Sequence, residues 1–164
     1  MGRSTDAILA YGYDLGSADD EWKVREVGEY GELAVPWHDE RCSHWDDLSA
    51  FAAEAEDELL AAAGFTAEDG SADYYQHREE ALELLGVTIV IHCSDTAPMF
   101  ILAAKALEAS RGNPQDAGGL LGADEATRRG WDEQLAAALG TLGLTPVAEK
   151  PAWLLCSYAD GFDD

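Results

Sequence analysis

His92, Cys93, Ser94 and Asp95 follow one another at the end of a short β-branched run, Val87–Cys93 (VTIVIHC). An imidazole, a thiol and a carboxylate this close together could supply a nucleophile and its base. Successive residues of a strand point to opposite faces, however, so His92 and Cys93 cannot easily serve each other. A working site would draw a partner from another predicted strand end, such as Asp14 or Ser157. The same letters fit a buried structural cysteine beside a hydrogen-bonded histidine. A cysteine-phosphatase reading fails, because Met99 stands where that chemistry needs an arginine. The sequence contains no Walker phosphate loop, nucleophile elbow, H-E-x-x-H or C-x-x-C motif.

A second cluster, His38, Cys42 and His44, has the form H-x3-C-x-H. Three such ligands could hold zinc, with His92 or Cys93 as a fourth. The spacing matches no zinc signature, so these are read as loop and cap residues, with neither a metal nor a cofactor expected.

The carboxylates are the more unusual feature. The chain carries 33 acidic and 10 basic residues, a net charge of −23. Residues 39–83 hold 14 of those acids against only Arg41 and Arg78, and so account for twelve of the net negative charges. A helix beginning at Ser43 would carry Asp46 and Asp47 at its positive N-terminal end, where they stabilise it. Glu54, Glu56, Asp57 and Glu58 fall in its later half, where the dipole disfavours them. Glu54 and Glu58 also form a like-charged i,i+4 pair, costing about 0.2–0.5 kcal/mol.

Helix stability does not account for that placement. A general compositional habit, as in salt-adapted proteins, competes with a specific partner. Carboxylates four residues apart on a helix rise about 6 Å, against about 3.4 Å per phosphate along one DNA strand. A helix face could therefore imitate part of a phosphate track. Such a surface repels nucleic acid and anionic membranes and attracts basic protein surfaces.

The elements that must position these groups follow from patterning. With 164 residues, a 47% hydrophobic fraction and five Trp, the chain suits one domain, residues 1–164. No apolar run approaches the ~20 residues needed to cross a bilayer, and no signal peptide is evident, so a cytoplasmic protein is expected. The three cysteines lack the spacing of a disulfide framework and are read as reduced.

A strand is predicted over Thr5–Tyr13, with Asp14–Gly16 as its exit. Ser17–Pro36 reads as either a hairpin or an ordered loop. The helix opening at Ser43 has an apolar stripe of Trp45, Leu48, Ala52, Ala55, Leu59 and Ala62 and should stop at Gly64. A second helix spans about 71–85, lining up Tyr74, the stem of Arg78, Ala81, Leu82 and Leu85, and Gly86 ends it. Val87–Cys93 is the clearest strand. The Ala- and Leu-rich segment after Pro98 has the propensity of a helix, with a returning antiparallel strand as its rival. A further helix is expected over about 125–142, burying Trp131, Leu135, Ala138, Leu139 and Leu142, and a final strand over 151–158.

Ser4–Asp14 (STDAILAYGYD), His92–Ser94, Pro98–Met99, Arg111–Gly112 and Trp153–Tyr158 (WLLCSY) together resemble segments of a group of small proteins from actinobacteria and their phages that have no assigned biochemical role. The likeness spans most of the chain. It implies that the segment after Pro98 is extended and forms a hairpin with Val87–Cys93, and it supplies no catalytic residues.

The expected fold is therefore α+β, a mostly antiparallel sheet of about four strands with its helices packed largely on one face. The leading functional expectation is a non-enzymatic interaction protein, plausibly phage-encoded, whose acidic helical face meets a basic protein surface such as that of a nucleic-acid-binding protein. Asp47, Glu54, Asp57, Glu58, Glu79, Glu80 and Glu83 would carry the contact. The alternative is a small hydrolase or transferase working at His92, Cys93 and Asp95.

Overall fold

The structure, a computed structural model, describes residues 5–38, 50–65 and 72–159. The fold is α+β. The described elements run β1 (Thr5–Gly16), α1 (Ala50–Ala62), α2 (Tyr74–Leu85), β2 (Thr88–Ser94), β3 (Pro98–Ser110), α3 (Gly118–Leu121), α4 (Glu125–Leu142) and β4 (Ala152–Ala159). The four strands close in the order β1-β3-β2-β4. Three of the pairings are antiparallel; β2 and β4 close the barrel in parallel, through Cys93 opposite Tyr158 and Ser94 opposite Ala159.

Closure gives the sheet two faces with different packing problems. The inner face gathers Ile8, Ala10, Val90, Ile101 and Ala103, with Leu154, Cys156 and Tyr158 at its margin. Four strands leave little interior room, and alanine fills it: Ala10 and Ala103 are completely buried. The outer face carries Tyr11, Leu15, Ile89, Phe100 and Leu102, against which α1 and α4 lay Phe51, Ala55, Leu59, Trp131, Leu135 and Leu142. The helices thus cover one face of the sheet, and the other closes on itself.

The Ala-rich segment after Pro98 is the 13-residue strand β3. It pairs with β2 through Thr88–Cys93 and with β1 through Asp6–Gly16. Residues 100–104 are all buried, because helices cover one side and the barrel interior takes the other. A strand buried on both faces reads as a continuous apolar run, which alternation cannot distinguish from a helix. The register shifts where Tyr11 and Gly12 face Lys105 and Ala103, so Ala104 and Lys105 share the outer face. Gly12 is required there, since a Cβ would lie 1.8 Å from the carbonyl oxygen of Leu102.

β1 is longer than its sequence pattern predicts and takes in Asp14, Leu15 and Gly16. Leu15 follows Tyr11 and Tyr13 on the outer face and enters the main core, and a second register shift between Asp14 and Gly16 then sets Gly16 opposite Phe100. Residues 17–38 form an ordered loop joined by isolated bridges, with Val27 opposite Leu33 and Val24 opposite Pro146. Trp22, Val24, Leu33 and Val35 bury in the main core, and the Trp37 indole N–H donates to the Leu142 carbonyl at 2.8 Å. The predicted stops Gly64 and Gly86 are both left-handed. The helix start at Ser43, with Asp46 and Asp47, lies outside the described residues, as do Cys42 and His44.

Candidate functional site

The acidic helices separate into carboxylates with internal work and carboxylates without it. Glu54 reaches back to His38, whose Nδ1 lies 2.5 Å from Glu54 Oε2. His38 is 7% exposed and boxed by the rings of Trp22, Trp37 and Phe51. Glu54 therefore orients a buried imidazole at the base of the main core. Asp57 accepts from the Arg78 guanidinium at 2.8 Å, and Glu56 lies 3.8 Å from the same group. Burial raises the Glu56 carboxyl above its usual range, against the pull of Arg78. Asp57 and its hydrogen bond hold the Arg78 guanidinium more firmly protonated, against the opposing effect of burial.

The crowding of acids late in α1 thus has a tertiary explanation. No basic residue within the helix offsets it, but Arg78 from α2 does, and His38 from the preceding loop engages Glu54 through a hydrogen bond. Glu58 is half-buried. On α2, by contrast, Glu79, Glu80 and Glu83 are all exposed. Glu80 accepts from Gln76 at 3.1 Å, while Glu79 and Glu83 have no ion-pair partner among the described residues. Tyr75 and Leu84 flank them at 78% and 87% exposure. The half-buried stripe Tyr74, Arg78, Ala81, Leu82 and Leu85 faces the other way. Of the seven residues expected to meet a partner, three on α2 are fully presented, Glu54 and Asp57 are occupied, Glu58 is partly covered, and Asp47 lies outside the described residues.

The strand-end candidates do not converge. His92 lies across from Met99 on β3, and its Nε2 is enclosed with no hydrogen-bond partner. Cys93 is exposed and takes φ = 76°, the described residue other than glycine with positive φ. The chain then turns, with Ser94 Oγ accepting from the Ala97 N–H at 3.1 Å, and Asp95 is exposed.

Asp14 does come near His92. It is ion-paired to Lys23 at 2.8 Å and accepts the Gly16 N–H at 3.0 Å. Burial lowers the His92 pKa, Lys23 lowers it further, and Asp14 partly opposes them. From β4, Asp14 is met by Cys156, whose thiol is raised by burial and by the Asp14 charge. The group collects a neutral imidazole and a protonated thiol around a carboxylate already paired with Lys23. Activated cysteines need the opposite field, a positive one that favours thiolate. Ser157, the other strand-end candidate, is exposed on the outer face, opposite Ala7.

Cys156 carries no motif, and only the coiling of the barrel brings it toward Asp14. Lys23 likewise lies in a loop with no sequence signal beyond its charge. Among the described residues no group of three His, Cys, Asp or Glu could hold a metal ion. No helix among them is long and apolar enough to cross a membrane. Comparison with protein-family models, with curated proteins and with solved structures gives no match.

Proposed function

We propose that this protein is a non-enzymatic binding protein whose α2 face, with the adjoining part of α1, holds a basic surface of another protein. One observation carries the reading. Arg78, the base of these two helices, is turned inward to Asp57 and Glu56, which leaves the outward face of α2 to Glu79, Glu80 and Glu83. Burying a counter-charge while exposing three carboxylates does nothing for the helix itself, since Glu79 and Glu83 repel each other at i,i+4 spacing.

The fitting class of partner is a basic protein, in particular one built to grip phosphates, which these carboxylates imitate in sign and approximate spacing. Tyr75 and Leu84 beside them add apolar contact area to a charge-led encounter.

The test is binding to a synthetic lysine- and arginine-rich peptide, followed by fluorescence anisotropy at two salt concentrations. Reversing Glu79, Glu80 and Glu83 to Lys should weaken binding by roughly eightfold or more, taking about 0.2–1 kcal/mol for each exposed pair lost and a similar penalty for each repulsion gained. Reversing the exposed Glu125, Glu133 and Glu149 makes the same change in net charge elsewhere and should have a much smaller effect. Equal losses from the two triple variants would mean that net charge alone, and not this face, attracts the peptide.

A further inference from the structure

The barrel interior is not filled to its end. Ile8, on the inner side of β1, stands opposite Glu108 of β3 and Cys156 of β4. Asp6, two residues nearer the start of the strand, stands opposite Ser110 and Tyr158. Asp6, Ile8, Glu108 and Tyr158, with Ile91 of β2, line a cavity of about 220 Å³, so all four strands contribute to it. Its parts lie at different depths. Ile8 is 2% exposed and forms the floor, Asp6, Tyr158 and Ile91 are half-buried, and Glu108 is exposed at the rim. Asp6 and Glu108 are diagonal neighbours across the β1–β3 pair, near enough for their charges to repel. Neither carboxylate has a side-chain hydrogen bond or an ion pair among the described residues.

We propose that this barrel mouth binds a small primary amine as its ammonium ion. The charged nitrogen sits at Asp6 and Glu108, and the apolar body inserts against Ile8, Ile91 and Tyr158. The lining selects this class. Two carboxylates without a counter-charge accept the N–H groups of an ammonium, and their mutual repulsion is relieved when it sits between them. They exclude an anion, and a neutral guest would leave them facing each other. A hard divalent cation wants about six oxygen ligands, whereas three of the five lining side chains are aliphatic or aromatic. Depth fixes the orientation. A lysine side chain from another protein would drive its ammonium past the carboxylates onto Ile8, where an unpaired charge is costly. A free amine enters with its apolar end leading.

Size sets the strength. At about 220 Å³ the cavity falls below the roughly 300–1,000 Å³ of sites for drug-sized ligands, so the guest is a fragment such as 2-phenylethylamine. Held at a partly exposed site, it binds with a dissociation constant of roughly 0.1–1 mM. The inference is independent of the proposed acidic contact, since none of the lining residues lies on α1 or α2.

Titration of the full chain with 2-phenylethylamine at neutral pH, followed by two-dimensional amide NMR, tests it. About 0.15 M NaCl screens diffuse attraction of the cation to the acidic surface. Saturable shifts should gather around Asp6, Ile8, Ile91, Glu108 and Tyr158 and leave α2 unmoved. The neutral counterpart 2-phenylethanol and calcium chloride should each fail to saturate the same amides at about 10 mM. Glu108→Gln, at an exposed position that keeps the fold, should raise the dissociation constant about fivefold, and Asp6→Asn should do the same. Glu108→Lys, which brings an ammonium of the chain's own to the rim, should abolish binding. No saturable shift, shifts spread along α1 and α2, saturation by the alcohol or by calcium, or an unchanged dissociation constant in folded Glu108→Gln and Asp6→Asn would overturn the proposal.

Discussion

Gly12 lies at the first register shift between β1 and β3, and replacing it with alanine tests the register that sets the inner and outer residues of these two strands. The added Cβ would stand 1.8 Å from the Leu102 carbonyl oxygen and 2.8 Å from the Ala103 Cα. Both neighbours are backbone, so no side chain can swing aside. Relief requires the strands to part by more than an ångström where Gly12 faces Ala103 and Tyr13 faces Leu102. Two weakened ladder hydrogen bonds cost about 1 kcal/mol each, and overpacking around two fully buried residues adds about 1–3 kcal/mol. The expected loss is thus about 3–5 kcal/mol, or a fall in Tm of roughly 6–20 °C for a chain of this length.

Urea unfolding followed by tryptophan fluorescence and circular dichroism measures it. Gly130→Ala is the companion change. It lies inside α4, where an added Cβ meets nothing within 4 Å. It should stabilise by about 0.5–1 kcal/mol through helix propensity and reduced unfolded-state freedom. A Gly12→Ala protein within about 1 kcal/mol of wild type would refute the β1–β3 register and, with it, the placement of Asp14 near His92.

Two further outcomes are expected. The His92 pKa is lowered from 6.5 by burial, so on acidification the unfolded chain takes up the proton first. Its effect on stability is therefore absent above pH 6.5 and becomes a loss as pH falls through that value toward the lower folded pKa. Because Nε2 has no partner to lose, His92→Leu should be close to wild type at pH 7 and should flatten the decline between about pH 7 and pH 5; an unchanged pH profile in urea melts counts against an enclosed imidazole. Tyr11→Phe removes the 2.6 Å bond to Asp132 but keeps both indole contacts. It should cost about 1 kcal/mol, the bond being partly exposed, and no loss at all would mean that the hydroxyl bond contributes nothing. That bond and burial together push the Tyr11 pKa up to about 12, burial being the larger cause.

Much of the fold was legible because the relevant signals are local. The three-and-four spacing of Ala52, Ala55 and Leu59, and of Trp131, Leu135, Ala138 and Leu142, marks buried helix stripes, and all seven are buried. Gly64 and Gly86 mark helix ends because each is left-handed. The segment after Pro98 was not legible from propensity. Alanine favours helices in isolation, yet here Ala103 stands in a strand, fully buried in a narrow barrel interior it shares with Ala10, Ile101 and Val90. Tertiary space overrode local preference, and only the resemblance indicated an extended chain.

The candidate sites divide along the same line. Sequence by itself determined an acidic α+β domain with its carboxylates concentrated on two helices, because charge and periodicity are properties of residues and their spacing. Tertiary structure alone decided which carboxylates are free. His38 and Arg78 reach Glu54 and Asp57 across the fold, whereas Glu79, Glu80 and Glu83 point away from it. It also brought Asp14 near His92 and Cys156, because barrel closure, unlike spacing along the chain, sets which strand ends meet.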